Sequence, residues 1–281
     1  NYTKFSMNKK NYSAILGLTP SKGARSPKLW NRVYKKLLLN HRMIAVDIKK
    51  KEFNNKITVL INDKNFLGGA VAIPYKEKVL KSLNKSFDKQ VRQIGAVNCL
   101  YRNKKGKISG ANTDGEASLK VFIKKVGSKN FNKLRSFAIL GYGGVGKAVV
   151  AYFSNHFNKS NFMVFVRRKG IKSFRNVKFY DWSQIEQKLE KIDVLINCTS
   201  VGFKENKSPI EASKFSLLKN CKIVFDVIYQ PKKTKLLSLA NKNKIFALNG
   251  LEMNLEQAVL AFKKTNKVKI SLGKIRTIMK K

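Results

Sequence analysis

The segment AILGYGGVGKAVV, residues 138–150, constrains this chain more than any other stretch of it. The pattern of a buried strand runs into glycines, and the glycines run straight into a helix-forming stretch. Each glycine has a task in such a turn. Gly141 permits the tight reversal, Gly143 lets backbone approach a pyrophosphate, and Gly146 lets the helix pack closely on the strand. The turn also contains Gly144. Unpaired N–H groups and the dipole at the helix N-terminus then face the phosphates. Glycine spacing alone suits an ordinary structural turn equally well; the strand before it and the helix after it are what point to dinucleotide binding.

The rest of the chain repeats the same rhythm, apolar strand-like runs alternating with helix-like segments, as expected of parallel sheets covered by helices. From Arg135 onward the runs are RSFAILG, NFMVFVR, VKFYDW, VLINCTS and IVFDVIY, separated by helical stretches such as KAVVAYFSNH and SQIEQKLEK. Before it they are AILGL, MIAVDI and GGAVAIP, then GAVNCLYR and GKISGANTD as a hairpin-like pair, with SPKLWNRVYKKLLL and YKEKVLKSL as helices. The break lies around residues 115–134. Two amphipathic segments after IFALNG, NLEQAVLAFKKT and KISLGKIRTIMKK, are expected to pack back on the first domain. The predicted fold is α/β with two domains: residues 1–115 completed by helices in 250–281, and a doubly wound nucleotide-binding domain over 116–249.

A chain of 281 residues buries enough surface to fold without staples. Cys99, Cys198 and Cys221 are odd in number and lie in apolar runs, which suits free thiols in a reducing compartment. No run approaches the roughly 18 apolar residues of a membrane span, and the first residues lack a signal-peptide pattern. A cytoplasmic protein with no membrane partner and no metal is expected.

Charge is the outlier. Lys plus Arg number 59 against 16 Asp plus Glu, a formal net charge of +43. Dense lysine gathers polyanions, yet these lysines are spread from Lys4 to Lys281 without a tail or stripe, and no aromatic-and-basic nucleic-acid signature accompanies them. The competing reading is compositional drift of a Lys-, Asn-, Ile- and Phe-rich chain, and no specific nucleic-acid partner is expected. Either way the field attracts anionic substrates and phosphorylated cofactors.

Cofactor choice is written at the end of the next strand, where a carboxylate would hold the ribose hydroxyl of NAD and arginine the extra phosphate of NADP. Here NFMVFVRRKG ends in Arg167, Arg168 and Lys169 with no carboxylate. Guanidinium groups pair bidentately with phosphate, so NADP is the expected cofactor, against the alternative that these are three more surface cations.

Reducing a ketone by hydride needs a proton donor for the developing alkoxide, a group that orients the donor, and ligands for the substrate hydroxyls. Four segments offer them: IPYKE with Lys76, GAVNCL with Asn98, GANTDGE with Asn112 and Asp114, and GLEMNLEQAV with Gln257. Taken singly, Lys76 also reads as a solvated cation, Asp114 as a helix cap and Asn98 as a turn residue.

In this order, however, they resemble the shikimate dehydrogenase family from near residue 14 to near residue 263. GLTPSKGARSPKLWN is similar to the family's substrate-carboxylate loop, GGAVAIPYKE to its catalytic-lysine segment, GAVN and NTDG to its substrate-asparagine and catalytic-aspartate segments. The glycine loop, INCTSVG, DVIYQPKKTKLL and GLEMNLEQA follow in register. The resemblance implies a mixed α/β substrate domain beside a Rossmann-like domain with the active site in a cleft between them, acting as monomer or homodimer on a small cyclic carboxylic acid. It implies Lys76 as proton donor with Asp114 as its partner, and Ser26, Asn98, Tyr229 and Gln257 as substrate ligands. Gly143, Gly144, Arg167, Thr199, Ser200, Val227 and Gly250 would line the NADP path. The implied reaction is reversible reduction of 3-dehydroshikimate to shikimate.

Two positions depart from the family pattern. Its loop usually carries two carboxylate-binding serines, and here the first is Ala24; four residues before Lys76 a threonine is usual, and here stands Ala72. Ser21, Lys22 and Arg25 are the candidates for a substitute. The departures leave open a paralogue for quinate, an aminated shikimate or another cyclic polyhydroxy acid. The charge leaves open a non-catalytic anion- or nucleic-acid-binding protein.

Overall fold

The computed structural model describes residues 10–127, 131, 133–167 and 170–281. By internal contacts it divides into two units, one formed by the chain up to Thr113 together with Leu255–Lys281, the other by Asp114–Asn254.

The first unit is built on a five-stranded sheet in the order β2-β1-β3-β4-β5, with β1 Tyr12–Gly17, β2 Arg42–Asp47, β3 Phe66–Val71, β4 Cys99–Arg102 and β5 Ile108–Ala111. The first three strands pair in parallel and the last two join antiparallel, so the sheet is mixed. Strand side chains alternate between faces, and the core divides accordingly. Ala14, Leu16, Val71 and Leu100 face one apolar cluster with Phe53, Ile57 and Leu60 of α2 (Phe53–Asn62). Ile15, Ala70 and Cys99 face the other, with Leu29, Trp30 and Val33 of α1 (Ser26–Lys36).

That second face is closed by the chain's last segments, which carry the amphipathic patterns NLEQAVLAFKKT and KISLGKIRTIMKK. Val259 and Phe262 of the helix over Leu251–Asn266, and Ile275 and Met279 of the one over Leu272–Lys280, belong to the same cluster. The Ser271 hydroxyl caps the final helix by accepting the Lys274 N–H at 3.1 Å. YKEKVLKSL departs from expectation. It forms a 3-10 segment over Lys78–Leu83, stopped by Asn84 and Lys85 at positive φ, and only Val79 and Leu83 are buried. Two anchors four residues apart fill the space beside Phe53 and Tyr75 without needing the further turns of an α-helix. A short true helix, α3 (Lys89–Ile94), follows.

The second unit opens with α4 (Asp114–Val126) and then forms a six-stranded, wholly parallel sheet. Its strands are β6 Ser136–Leu140, β7 Asn161–Val166, β8 Val177–Asp181, β9 Val194–Asn197, β10 Ile223–Asp226 and β11 Phe246–Leu248, in the order β11-β10-β9-β6-β7-β8. Counted from β6 this is 6-5-4-1-2-3, the doubly wound dinucleotide-binding order, and its direction reverses between β6 and β9. The strands read from the sequence are all present. α5 (Gly144–His156) and α6 (Lys235–Lys242) are α-helical, whereas SQIEQKLEK is carried by 3-10 turns over Trp182–Gln184 and Glu186–Lys191. The helices over Leu251–Asn266 and Leu272–Lys280 are α7 and α8.

Among the described residues no helix is long and apolar enough to cross a membrane, and no group of three or more His, Cys, Asp and Glu side chains could hold a metal. The three cysteines are free thiols.

Trp30 is fully buried and meets the Phe262 ring edge-on at 5.2 Å, joining α1 to α7, while its indole N–H finds no acceptor. Trp30→Ala is therefore expected to destabilise the protein by about 3–5 kcal/mol. Trp30→Phe should cost far less, because it keeps an aromatic body and removes the orphaned donor. Chemical denaturation of the two variants beside the parent checks the difference.

Candidate active site and nucleotide turn

The glycine turn sits at the carboxyl end of β6, where the strand order reverses. Gly141 has a φ of +89°, and a Cβ there would lie 2.9 Å from Cγ2 of Thr199. A Cβ on Gly146 would lie 2.2 Å from the Gly141 carbonyl oxygen, so any side chain would push α5 off the turn. Gly143 differs: it caps α5, is exposed, and a Cβ there would meet nothing within 4 Å. Two glycines thus serve internal packing, while the open backbone at Gly143, with Gly144 starting the helix, leaves room for a phosphate at a helix N-terminus. The residues present fit a dinucleotide. Arg167 directly follows β7, the neighbour of β6, and is exposed. Arg168 and Lys169 lie outside the described residues.

Thr199 and Ser200 follow β9, Val227 follows β10 and Gly250 follows β11. A buried polar network shapes the turns after β9 and β10. Asn197, fully buried, accepts from the N–H and hydroxyl of Thr199 at 3.0 and 2.7 Å, and its amide donates to Asp226 at 3.0 Å. Asp226, also fully buried, accepts the Ile228 N–H at 3.1 Å and the Thr234 hydroxyl at 2.7 Å. The Gly250 N–H donates to the Ile228 carbonyl at 3.0 Å, and a Cβ on Gly250 would fall 1.9 Å from the Val227 carbonyl oxygen. Burial pushes the Asp226 carboxyl up to about 6 despite these three donors. It also pushes the neighbouring Cys198 thiol well above its ordinary value, with the carboxylates of Asp226 and Asp114 adding to the effect, so that this thiol stays protonated. Tyr229 is half-buried two residues beyond Val227.

The first unit has a cluster of its own, at the end of its sheet. The Lys76 carbonyl accepts the Val97 N–H at 2.7 Å, and the next residue, Asn98, donates its own N–H to Ala111 at 3.1 Å. The Asn98 side chain is buried: its oxygen accepts the Thr113 N–H at 2.7 Å, and its amide donates to the Thr113 hydroxyl at 3.0 Å. That hydroxyl donates in turn to the Gln257 carbonyl at 3.1 Å, and the Gln257 side-chain oxygen stands 3.5 Å from the Asn98 amide. Asn112 donates to the Ala96 carbonyl at 3.0 Å. Backbone pairing thus brings Lys76 alongside Asn98, and side-chain bonds through Thr113 bring Asn98 and Gln257 together. The residue after Thr113 is Asp114, buried at the first position of α4.

Ser26, buried, opens α1 at the end of the loop that carries Ala24. Of the three candidate substitutes in that loop, Ser21 is already engaged, donating its N–H and hydroxyl to the Asp47 carboxylate at 3.0 and 2.5 Å. Ala72 lies against the backbone of Gly17, where an added Cβ would fall 3.1 Å from the Ala72 methyl.

With this geometry in view, comparison with known proteins decides the family. A model described as the shikimate dehydrogenase substrate binding domain matches residues 18–100. The shikimate dehydrogenase (NADP(+)) of Clostridium perfringens (strain SM101 / Type A) is 31% identical over 252 residues, covering 87% of this chain and 89% of the relative. The chain belongs to the shikimate dehydrogenase family. The shikimate dehydrogenase (NADP(+)) of Pyrococcus furiosus is 32% identical over 253 residues, covering 89% of this chain and 88% of the relative. Among solved structures, shikimate dehydrogenase from Aquifex aeolicus superposes with a TM-score of 0.81 at 26% identity, covering 98% of this chain and 100% of that one. The enzyme from Thermotoga maritima gives 0.79 at 25% identity, covering 96% and 100%.

Reading the sequence picked out Asn98, Thr199 and Val227 but passed over Asn197, Thr113, Asp226 and Thr234. Asp226 and Thr234 stood in DVIYQPKKTKLL as an acid and a hydroxyl eight residues apart, a spacing that carries no signal until β10 and the turn after it fold them together.

Because the folded state holds a proton on Asp226 that the unfolded chain loses near pH 4, this residue's contribution to stability is greatest below pH 4 and falls as pH rises to about 6. Asp226→Asn should therefore flatten the melting temperature between pH 4 and 7 relative to the parent, with the difference reaching about 3 kcal/mol at neutral pH in the variant's favour before the loss of one acceptor is counted. Parallel melts across that range test it.

Proposed function

We propose that this protein catalyses the reversible, NADP-dependent reduction of 3-dehydroshikimate to shikimate. The observation that carries the reading is likeness over nearly nine-tenths of the chain to relatives named shikimate dehydrogenase (NADP(+)), in a sequence that keeps Lys76, Asn98, Asp114 and Gln257 of the family pattern. The quinate or aminoshikimate reading rests on Ala24 and Ala72 alone.

In this proposal the cofactor, when bound, supplies or accepts the hydride. Gly143 and Gly144 cradle its phosphates in the turn that Gly141 and Gly146 allow to close, and Arg167, with Arg168 beside it in sequence, pairs with the ribose phosphate. Thr199, Ser200, Val227 and Gly250 line its path. The Lys76 ammonium gives its proton to the oxygen that was the substrate carbonyl and takes one back in the oxidation. Asp114 holds that ammonium and a substrate hydroxyl. Asn98 and Gln257 hold ring hydroxyls, Tyr229 stands at the substrate end, and Ser26 binds the carboxylate through its hydroxyl donor. The strongly positive chain speeds encounter with the two anions.

Purified protein should oxidise NADPH when given 3-dehydroshikimate; absence of turnover over a full concentration range removes the proposal. Lys76→Ala is expected to lower kcat by about 10²- to 10⁴-fold, the range of general acid–base catalysis, while leaving NADPH affinity within about threefold. Replacing Arg167 with Ala should cut the preference for NADP over NAD by about tenfold or more, measured as the ratio of kcat/KM values, because a charge-assisted bond to phosphate is lost.

A further inference from the structure

Thr113 stands at the centre of the cluster that joins three separate stretches of the first unit, yet it is none of the residues given a role in substrate binding above. It is buried, and its N–H and hydroxyl make four contacts, three of them with the Asn98 side chain and one with the Gln257 main chain. The backbone N–H points at the Asn98 side-chain oxygen at 2.7 Å, which forces the Asn98 nitrogen to the other side. The hydroxyl oxygen accepts one proton of that nitrogen at 3.0 Å and stands 3.3 Å from the Asn98 oxygen. Of its two acceptors within reach, the Gln257 main-chain carbonyl on α7 is the nearer at 3.1 Å and takes the hydroxyl's own proton. A side-chain hydroxyl is the one small group that can accept from an amide and donate to a carbonyl at once.

The second proton of the Asn98 nitrogen is left toward the Gln257 side-chain oxygen at 3.5 Å, beyond the ordinary length of a good hydrogen bond. A contact that long is easily exchanged for one to a ligand hydroxyl inserted between the two amides. Thr113 thus fixes both which way round the Asn98 amide stands and where the Gln257 backbone sits.

We propose that Thr113 is a positioning residue that holds the Asn98 and Gln257 amides in the one relative orientation able to grip a substrate hydroxyl. The inference rests on the assignment of Asn98 and Gln257 as substrate ligands. Its role is in binding geometry, since the hydroxyl is spent on protein partners and has no proton to give to the reacting oxygen.

The test is steady-state kinetics of Thr113→Val, Thr113→Ser and the parent, with 3-dehydroshikimate and NADPH varied in turn. Thr113→Val keeps shape and backbone N–H but removes the hydroxyl. It should raise KM for 3-dehydroshikimate about tenfold, with kcat and KM for NADPH within about threefold. Thr113→Ser should restore KM to within about threefold of the parent. Should the valine variant fail to fold, Thr113→Ala, which strains packing less, takes its place, and its binding of NADPH reports the folded state. An unchanged KM for 3-dehydroshikimate in valine or alanine overturns the inference, as does a serine variant as impaired as valine or losses shared equally with NADPH. No turnover by the parent overturns the functional reading itself and this inference with it, whereas parental turnover with an indifferent Thr113→Val overturns this inference alone.

Discussion

The contact between Gly146 and the Gly141 carbonyl is the constraint on which the nucleotide-binding half depends. Only a residue without a Cβ allows α5 to start so close beneath the turn leaving β6, since a methyl group there would sit 2.2 Å from an oxygen. That proximity aims the helix N-terminus and the open backbone at Gly143 at the same point. Because β6 is the strand at which the sheet order reverses, the point lies where the loops after β6 and β9 diverge, and a crevice forms there in any doubly wound sheet. Close packing of backbone on backbone is repeated at Gly250 and Val227, at the end of β10.

A buried polar network does for the loops after β9 and β10 what the glycines do for the loop after β6. Asn197, Asp226 and Thr234 are each almost wholly removed from water, and the bonds among them tie the end of β9 to the end of β10 and that end to the cap of α6. A buried carboxyl costs free energy, visible in the upward displacement of its ionisation, but with three donors it fixes three loop segments at once. Networks of this kind lower stability relative to an apolar core of the same shape and give a single loop geometry in return. In the first unit Asn98, Thr113 and Gln257 form another such cluster, bonded through both side chains and main chain, at the end of a sheet whose two faces are otherwise apolar.

Much was legible in the primary structure because the signals are local. Strand-like runs such as NFMVFVR and VLINCTS are buried on both faces and so read as continuous apolar stretches, and each became a strand. The glycine turn could be read since its strand, turn and helix are contiguous. At YKEKVLKSL periodicity at two positions does not distinguish a single tight segment from a full helix; the stop comes from the left-handed Asn84, a residue that tolerates that conformation, and Lys85, one that does not favour it. Motif order located Lys76, Asn98, Asp114 and Gln257, but order says nothing of orientation.

What the sequence by itself determined, then, is the alternation of elements, the parallel nucleotide-binding sheet and the family, all carried by side-chain type and spacing within a dozen residues. Tertiary structure alone decided that Thr113 would link Asn98 to a helix some 140 residues further along the chain, that Asp226 would be buried under Thr234, and that Ser21 would be taken up by Asp47. These are hydrogen bonds between groups whose partners are chosen by chain crossing and exclusion of water, and a polar residue carries no mark of the partner that the fold will bring to it.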